Sequence, residues 1–291
     1  MTAPDPAATD GEGRGHGDDA ADVASSPSAP ARLGLAPRVR WTAELVRVLA
    51  PRELRSRYRQ SVFDIAWALI TPVSVLAVYG VVLTQSFNVT GNGVPYLSLA
   101  WAGLVLWTFF SSALGGAASS LVSSADLITK VYFPKEAVPL SVVGASFADL
   151  AIGLGTLMIL VPVQGVRPGW HAIEGLLPLL VLVVWTAAVS VLVGVVAAFV
   201  RDVPHLVQLV LRVGFLATPV MYESSTLPGA FRWSASISPV AVSIEGFRDA
   251  VLRGSTPRLG LLFAHLGAGV VVLAGAVLYT RAVESRLADV V

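Results

Sequence analysis

The sequence predicts an all-α integral membrane protein, and three observations carry that prediction. Hydrophobic residues make up 55% of the 291-residue chain and charged ones 13%, roughly half the charged share of a soluble domain. Six stretches are apolar enough to cross a bilayer, at 62–87, 97–122, 137–163, 176–200, 206–222 and 259–280, where a hydrocarbon core about 30 Å thick calls for roughly 20 residues of helix. Arginine and lysine gather at one set of span ends, the asymmetry that orients a membrane protein.

Residues 1–40 are mostly Ala, Pro, Gly, Ser and Asp, with almost no large apolar side chains. Such a segment buries too little surface to fold and is expected to be a disordered cytoplasmic tail. No apolar signal-peptide core follows the first methionine, so the first span is expected to serve as its own insertion signal.

Residues 41–61 read as an amphipathic interface helix in the headgroup plane. Trp41, Leu45, Val48 and Leu49 recur at helical spacing, and Pro51 restarts a helix in which Leu54 and Tyr58 oppose Arg52, Arg55 and Arg59. A plain basic flank that happens to be helical has the same pattern. The transmembrane domain occupies 62–291. Arg47, Arg52, Arg55, Arg57 and Arg59 precede its first span, and with that end inside, Lys130, Lys135, Arg201, Arg281 and Arg286 also fall inside. The connector 86–96 has no basic residue, so both termini are expected in the cytoplasm. The last outer connector breaks the rule with Arg232, Arg248, Arg253 and Arg258. Within it, 237–252 is short and carries Glu245, Arg248 and Asp249, so it reads as re-entrant, with Glu245 and Arg248 spaced to pair on one helical face.

Several chemistries are excluded. A net charge of +1 with dispersed arginines does not suit a nucleic-acid binder. Zero cysteines remove disulfides, zinc-thiolate sites and iron-sulfur clusters. His16, His171, His205 and His265 have no ligand spacing, so no metal is expected. There is no GxxxxGK[ST] loop, and the only lysines, Lys130 and Lys135, follow no glycine-rich turn, so the chain is not an ATPase of the P-loop kind. No catalytic residue is assigned. A membrane-embedded glycosyltransferase finds no paired carboxylates. An ion-coupled transporter would use Asp149 and Glu245 as proton carriers, but no internal repeat is visible.

Ionisable groups at membrane depth are functional candidates. Asp64 lies near the inner end of its span, within reach of Arg57 or Arg59. Asp149 and Arg212 lie near the middle of theirs and must face protein or water, with cargo contact and structural pairing both open. Aromatics cluster at Tyr79, Trp101, Trp107, Phe109 and Phe110, then at Tyr222, Phe231 and Trp233. They suit an interfacial belt or a path for stacking sugar rings. Phe109 and Phe110 are the deeper ones. The candidate substrate path comprises Tyr79, Trp107, Phe109, Phe110, Asp149, Arg212 and Tyr222.

In order along the chain stand Arg57-Tyr58-Arg59-Gln60-Ser61-Val62 with Trp67 and Pro72, the run from Gly103-Leu104 to Trp107-Thr108-Phe109-Phe110, and Asp126-Leu127-Ile128 to Val131-Tyr132-Phe133-Pro134. Arg201-Asp202, Thr218-Pro219-Val220 with Tyr222, Ser238-Pro239 with Arg248, and Arg286 to Val291 follow. This ordered set resembles the ABC-2 type permeases of exporters for polysaccharide, O-antigen and teichoic acid, and the resemblance runs from about Trp41 to Val291.

The resemblance implies a homodimer with six spans per subunit and a path between the subunits. It implies two copies of a separate ATPase on the cytoplasmic face, which would hold the ATP and Mg; this chain would carry no cofactor. The implied cargo is a lipid-linked polysaccharide or teichoic-acid-like glycan crossing the bacterial inner membrane, and a drug or small lipid is the alternative. The connector 123–136 resembles the coupling helix that docks on the ATPase, with Ser124, Asp126, Leu127, Ile128, Lys130, Phe133 and Pro134 as its residues. Ser124 suits a helix cap, Asp126 its first turn and Pro134 the start of the next helix. The family also implies a gate helix at 41–60 and re-entrant helices at 224–254. Gly115, Gly116, Ala117 and Ala118 suit close, sliding helix contact. The family usually has Asn near Ser124 and Asn-Pro where Ser238-Pro239 stands, and Arg212 matches no motif.

Overall fold

Every regular element among the described residues is helical. The computed structural model describes residues 35–58, 93–130, 133–167, 169–226 and 235–290, with a few isolated positions besides. The tail 1–34 and nearly all of the expected span 62–87 lie outside them, with Asp64, Tyr79, Phe231 and Trp233. In chain order the helices are α1 (Leu35–Tyr58), α2 (Tyr96–Ser123), α3 (Ala125–Lys130), α4 (Ala137–Val163), α5 (Leu176–Phe199), α6 (Val203–Ala217), α7 (Pro239–Val251) and α8 (Leu259–Val290), with single 3-10 turns at Trp170–Gly175 and Ser224–Thr226.

Among the described residues, four helices are long and apolar enough to cross a membrane: Tyr96–Ser123, Ala137–Val163, Trp170–Phe199 and Leu259–Leu287. They fall on the expected spans 97–122, 137–163, 176–200 and 259–280. The expected span 206–222 is different. Helix α6 stops at Ala217 because Pro219 forces Thr218 into extended geometry (ψ 140°), and its 15 residues reach only about 22 Å.

Helix α2 is the hub. Its apolar window is 72% buried, against 17% for α8, because α2 packs on α4, α5, α6 and α7 while α8 rests mainly on α5. Without a hydrophobic drive between helices in lipid, close approach depends on small residues. A Cβ on Gly153 of α4 would lie 2.6 Å from Val105 of α2, and the space left lets Trp101 Nε1 donate to the Gly153 carbonyl at 3.1 Å. Phe263, Val271 and Leu278 on α8 stay exposed, which suits a lipid-facing surface.

Helix α1 departs from expectation in two ways. It begins at Leu35, ahead of the expected boundary at 41, and it runs unbroken through Pro51 instead of restarting there. Proline removes one ladder bond and normally bends a helix. Here Pro51 is exposed while the opposite side is held, since Val46 and Ala50 close on Gly144 of α4, where a Cβ would come within 2.9 Å of Ala50. The contacts also carry α1 along the first half of α4 rather than across its end. Arg38 meets Glu136 just before α4 begins, and Arg57 meets Asp149, about 18 Å farther along the helix at 1.5 Å per residue. Arg40, Arg47, Arg52 and Arg55 line the exposed side.

Candidate functional site

The connector between α2 and α4 turns on one residue. Ser124 N–H bonds back to Leu121 and Val122 of α2, and its carbonyl accepts the Leu127 N–H at 3.0 Å, so its main chain ends one helix and starts the next. Asp126 is exposed in the first turn of α3, where a carboxylate complements the helix dipole. Leu127 is half-buried; the side chains of Ile128 and Lys130 lie outside the described residues.

The second half of the connector corrects an expectation. Phe133 does not belong to an outward surface with Leu127 and Ile128. It is buried with Leu121, Val138, Val195, Ala198 and Leu287, and Trp41, Leu45 and Leu127 pack on that cluster. Pro134 is buried too. Lys135 is no exposed flank: it is 3% exposed, with its ammonium 4.6 Å from the Phe133 ring centroid. Burial lowers its pKa, and Glu284 opposes the shift.

Beside it lies an ion cluster that sequence reading missed. Arg38 Nε and Nη2 donate to the two oxygens of Glu136 at 2.6 and 2.7 Å, and Nη1 donates to Glu284 at 3.2 Å. Arg38 and Glu136 are both buried, so a two-pronged geometry has to offset the desolvation of two charges. The hydrogen bond to Glu136 raises the Arg38 pKa above the ordinary arginine value, against the opposing effect of burial. Thr42 adds a contact at 3.5 Å. The cluster ties α1, the connector and the far end of α8 together across sequence separations of 98 and 246 residues. The one local hint was a charged pair, Lys135-Glu136, wedged against an apolar span.

At mid-depth, Arg57 Nη1 reaches Asp149 and the Ser146 hydroxyl, each at 3.4 Å, so Asp149 has a structural partner. Trp107 is buried against Phe110 and Phe215, with centroids 5.7 and 5.9 Å apart. Phe109 is wholly buried against Phe147; it belongs to the subunit core and lines no open path among the described residues. Tyr222 donates to the Leu216 carbonyl at 2.9 Å. Arg212 is exposed on α6. Of the candidate path residues, Trp107 and Phe110 pack together, Phe109, Asp149, Arg212 and Tyr222 have other surroundings, and Tyr79 lies outside the described residues.

The turn between α6 and α7 is built around Arg248. Its side chain is completely buried and donates to the carbonyls of Leu99, Pro219, Tyr222 and Val220 at 3.0, 2.8, 3.0 and 2.5 Å. Those at 219, 220 and 222 belong to the irregular chain that follows α6, and the guanidinium supplies donors that no helix provides there. The expected contact with Glu245 exists at 3.5 Å, but Glu245 is mainly engaged elsewhere, accepting the Ser224 N–H at 2.9 Å. Gly103 makes room: a Cβ there would run into Val220 O and Arg248 Nη2. Next to this knot, Arg253 binds Glu223 at 2.7 Å and Asp249 at 2.5 Å, beside a cavity of about 750 Å³. Burial works against the Arg253 charge, yet the bonds to Glu223 and Asp249 outweigh it and its pKa is raised. Among the described residues, no group of three His, Asp or Glu is placed to hold a metal.

A bundle of membrane-length helices, with one short helix slung between two of them beside a buried ion cluster, defines a polytopic membrane protein. The chain belongs to the ABC-2 type transporter family, whose pattern matches residues 44–252, from within α1 to the end of α7. It is 29% identical over 229 residues to the O-antigen export system permease protein RfbA of Myxococcus xanthus, covering 77% of this chain and 86% of that one. It is 24% identical over 250 residues to a protein of the same description from Klebsiella pneumoniae, covering 85% and 95%.

Proposed function

We propose that this chain is the transmembrane permease subunit of an exporter that moves a lipid-linked polysaccharide across the bacterial inner membrane, driven by a separate ATPase subunit. Family membership and the O-antigen export permeases at 24–29% identity support the class and the cargo. Six crossings result if 62–87 and the region of α6 complete the set, and the arginine pattern then puts both termini in the cytoplasm. The chain acts as a homodimer on two ATPase copies, with the path between the subunits.

One observation carries the mechanism: α3 projects Asp126 outward while both flanks of the connector are fastened to the bundle. A push on α3 passes to α2 through Ser124, and to α4, α1 and α8 through Phe133 and the Arg38, Glu136 and Glu284 cluster. Packed helices shift as rigid bodies rather than deform, so a small displacement at the inner face becomes a concerted tilt. Asp126→Arg, placed on the exposed first turn, is expected to abolish co-purification with the ATPase subunit and to stop glycan export. Unchanged association and export would remove α3 from the coupling role.

A further inference from the structure

Helix α1 has two sides of different character. Arg38, Thr42 and Leu45 turn toward the connector and α8, while Val46 and Ala50 close on α4. On the other side Arg47, Arg52 and Arg55 are exposed on successive turns, with Val48 and Pro51 between them. Arg40 also lies on that side, but Glu44 engages it at 3.1 Å. Glu53 is the one carboxylate within the stretch 47–57, and it is half-buried. Three like charges within about 12 Å of helix sum to a positive potential that attracts an anionic partner.

The chain just ahead of α1, outside the described residues, carries the opposite charge. Residues 5–22 hold Asp5, Asp10, Glu12, Asp18, Asp19 and Asp22 against a single Arg14. The whole chain has 19 acidic and 20 basic residues for a net charge of +1; residues 1–34 supply six of the acidic and two of the basic, so the remainder carries +5. A run of like charges of this kind is typical of an interaction tail. Reach picks out its partner. Twelve residues, 23–34, join it to the start of α1. Extended they cover at most about 40 Å, and as a coil about 20 Å, while Arg47 to Arg55 lie about 18 to 30 Å along the helix from Leu35. Each exposed ion pair contributes little by itself, but the tether sets the local concentration of carboxylates in the millimolar range. A lipid surface or a partner subunit has to find the same face without that tether. The contact also requires no particular placement of α1 in a bilayer.

We propose that residues 5–22 dock on the Arg47, Arg52 and Arg55 face of α1, an intramolecular electrostatic contact that masks this face from other anionic surfaces.

The chain has no cysteine, so Ala20→Cys in the tail and Ala43→Cys on the exposed side of α1 place a unique pair of spin labels in the full-length protein, held in nanodiscs of zwitterionic lipid. Distance measurement between the labels is expected to show a narrow short-distance population at about 0.01 M salt. It should fall several-fold at about 1 M, where the Debye length has dropped from about 30 to about 3 Å. Arg47→Glu with Arg55→Glu is expected to disperse the population at low salt. Adding Asp18→Lys, Asp19→Lys and Asp22→Lys to that variant should restore it, a rescue that a misfolded helix could not give. A dispersed distribution in the wild type, or a narrow one that survives Arg47→Glu with Arg55→Glu, overturns the proposal. Two other occupants are read in the same preparation. Loss of the population when the discs contain anionic lipid would assign the face to headgroups, and loss on adding the ATPase subunit would assign it to that partner. Either result overturns the proposal, and a population retained in both supports it.

Discussion

The two ends of the bundle each bury an arginine, and they use it in opposite ways. At the end where α1, α4 and the last turns of α8 meet, Arg38 grips carboxylates on two other elements, Glu136 and Glu284. At the end where α6 and α7 meet, Arg248 spends its donors on four backbone carbonyls. A carbonyl-bound arginine satisfies main-chain acceptors in the irregular segment that follows α6. A carboxylate-bound arginine joins separate side chains whose geometry can reset when the elements move. Under the proposed coupling mechanism, the Arg248 knot would act as a fixed point and the Arg38 cluster as the joint through which motion passes.

Substitutions that strip each end should differ in kind. Arg248→Met leaves the carbonyls at 219, 220 and 222 buried without donors; a loss of at least about 3 kcal/mol is expected, seen as failure to purify as a folded particle in detergent. Arg248→Lys is not expected to rescue it, because a point charge cannot reproduce a planar fork. Next in size comes Glu136→Gln, which keeps one acceptor oxygen for Arg38 but removes the negative charge and the second prong of the pair. It is expected to lower stability in thermal unfolding by about 2–3 kcal/mol, and a double-mutant cycle with Arg38→Met should give a coupling energy of at least about 1 kcal/mol. Additivity of the two would break the comparison. Smaller again, Arg57→Gln should cost about 0.5–1 kcal/mol, since that pair with Asp149 is longer and partly exposed. Arg40→Ala removes only an exposed contact to Glu44 and should leave the unfolding temperature unchanged.

What the sequence reveals follows from the range of each interaction. The spans at 97–122 and 137–163 were legible because an apolar run of membrane length has few alternatives, and the end of α6 was legible in hindsight from Pro219. The start of α1 was not, since Arg38 sits in a segment whose composition suggests disorder, and only Glu136 and Glu284, far away in the chain, hold it in place. Spacing indicated that Glu245 and Arg248 share a helical face. It carried no sign that Arg248 would turn to carbonyls in the chain that follows another helix, because a backbone acceptor leaves no residue signature. Phe133 read as a docking surface because an exposed and an anchoring aromatic look alike until the cluster around Leu121 and Leu287 is known.

The proposed mechanism turns on whether the Arg38, Glu136 and Glu284 cluster transmits motion from α3 to the bundle. It is tested most directly in proteoliposomes holding the chain and its ATPase subunit, by measuring glycan translocated per ATP hydrolysed for wild type, Glu136→Gln and the Arg40→Ala control. The account predicts that Glu136→Gln keeps its ATPase association and hydrolysis while the transport ratio falls several-fold and the control stays at the wild-type value. A wild-type ratio in Glu136→Gln would contradict it.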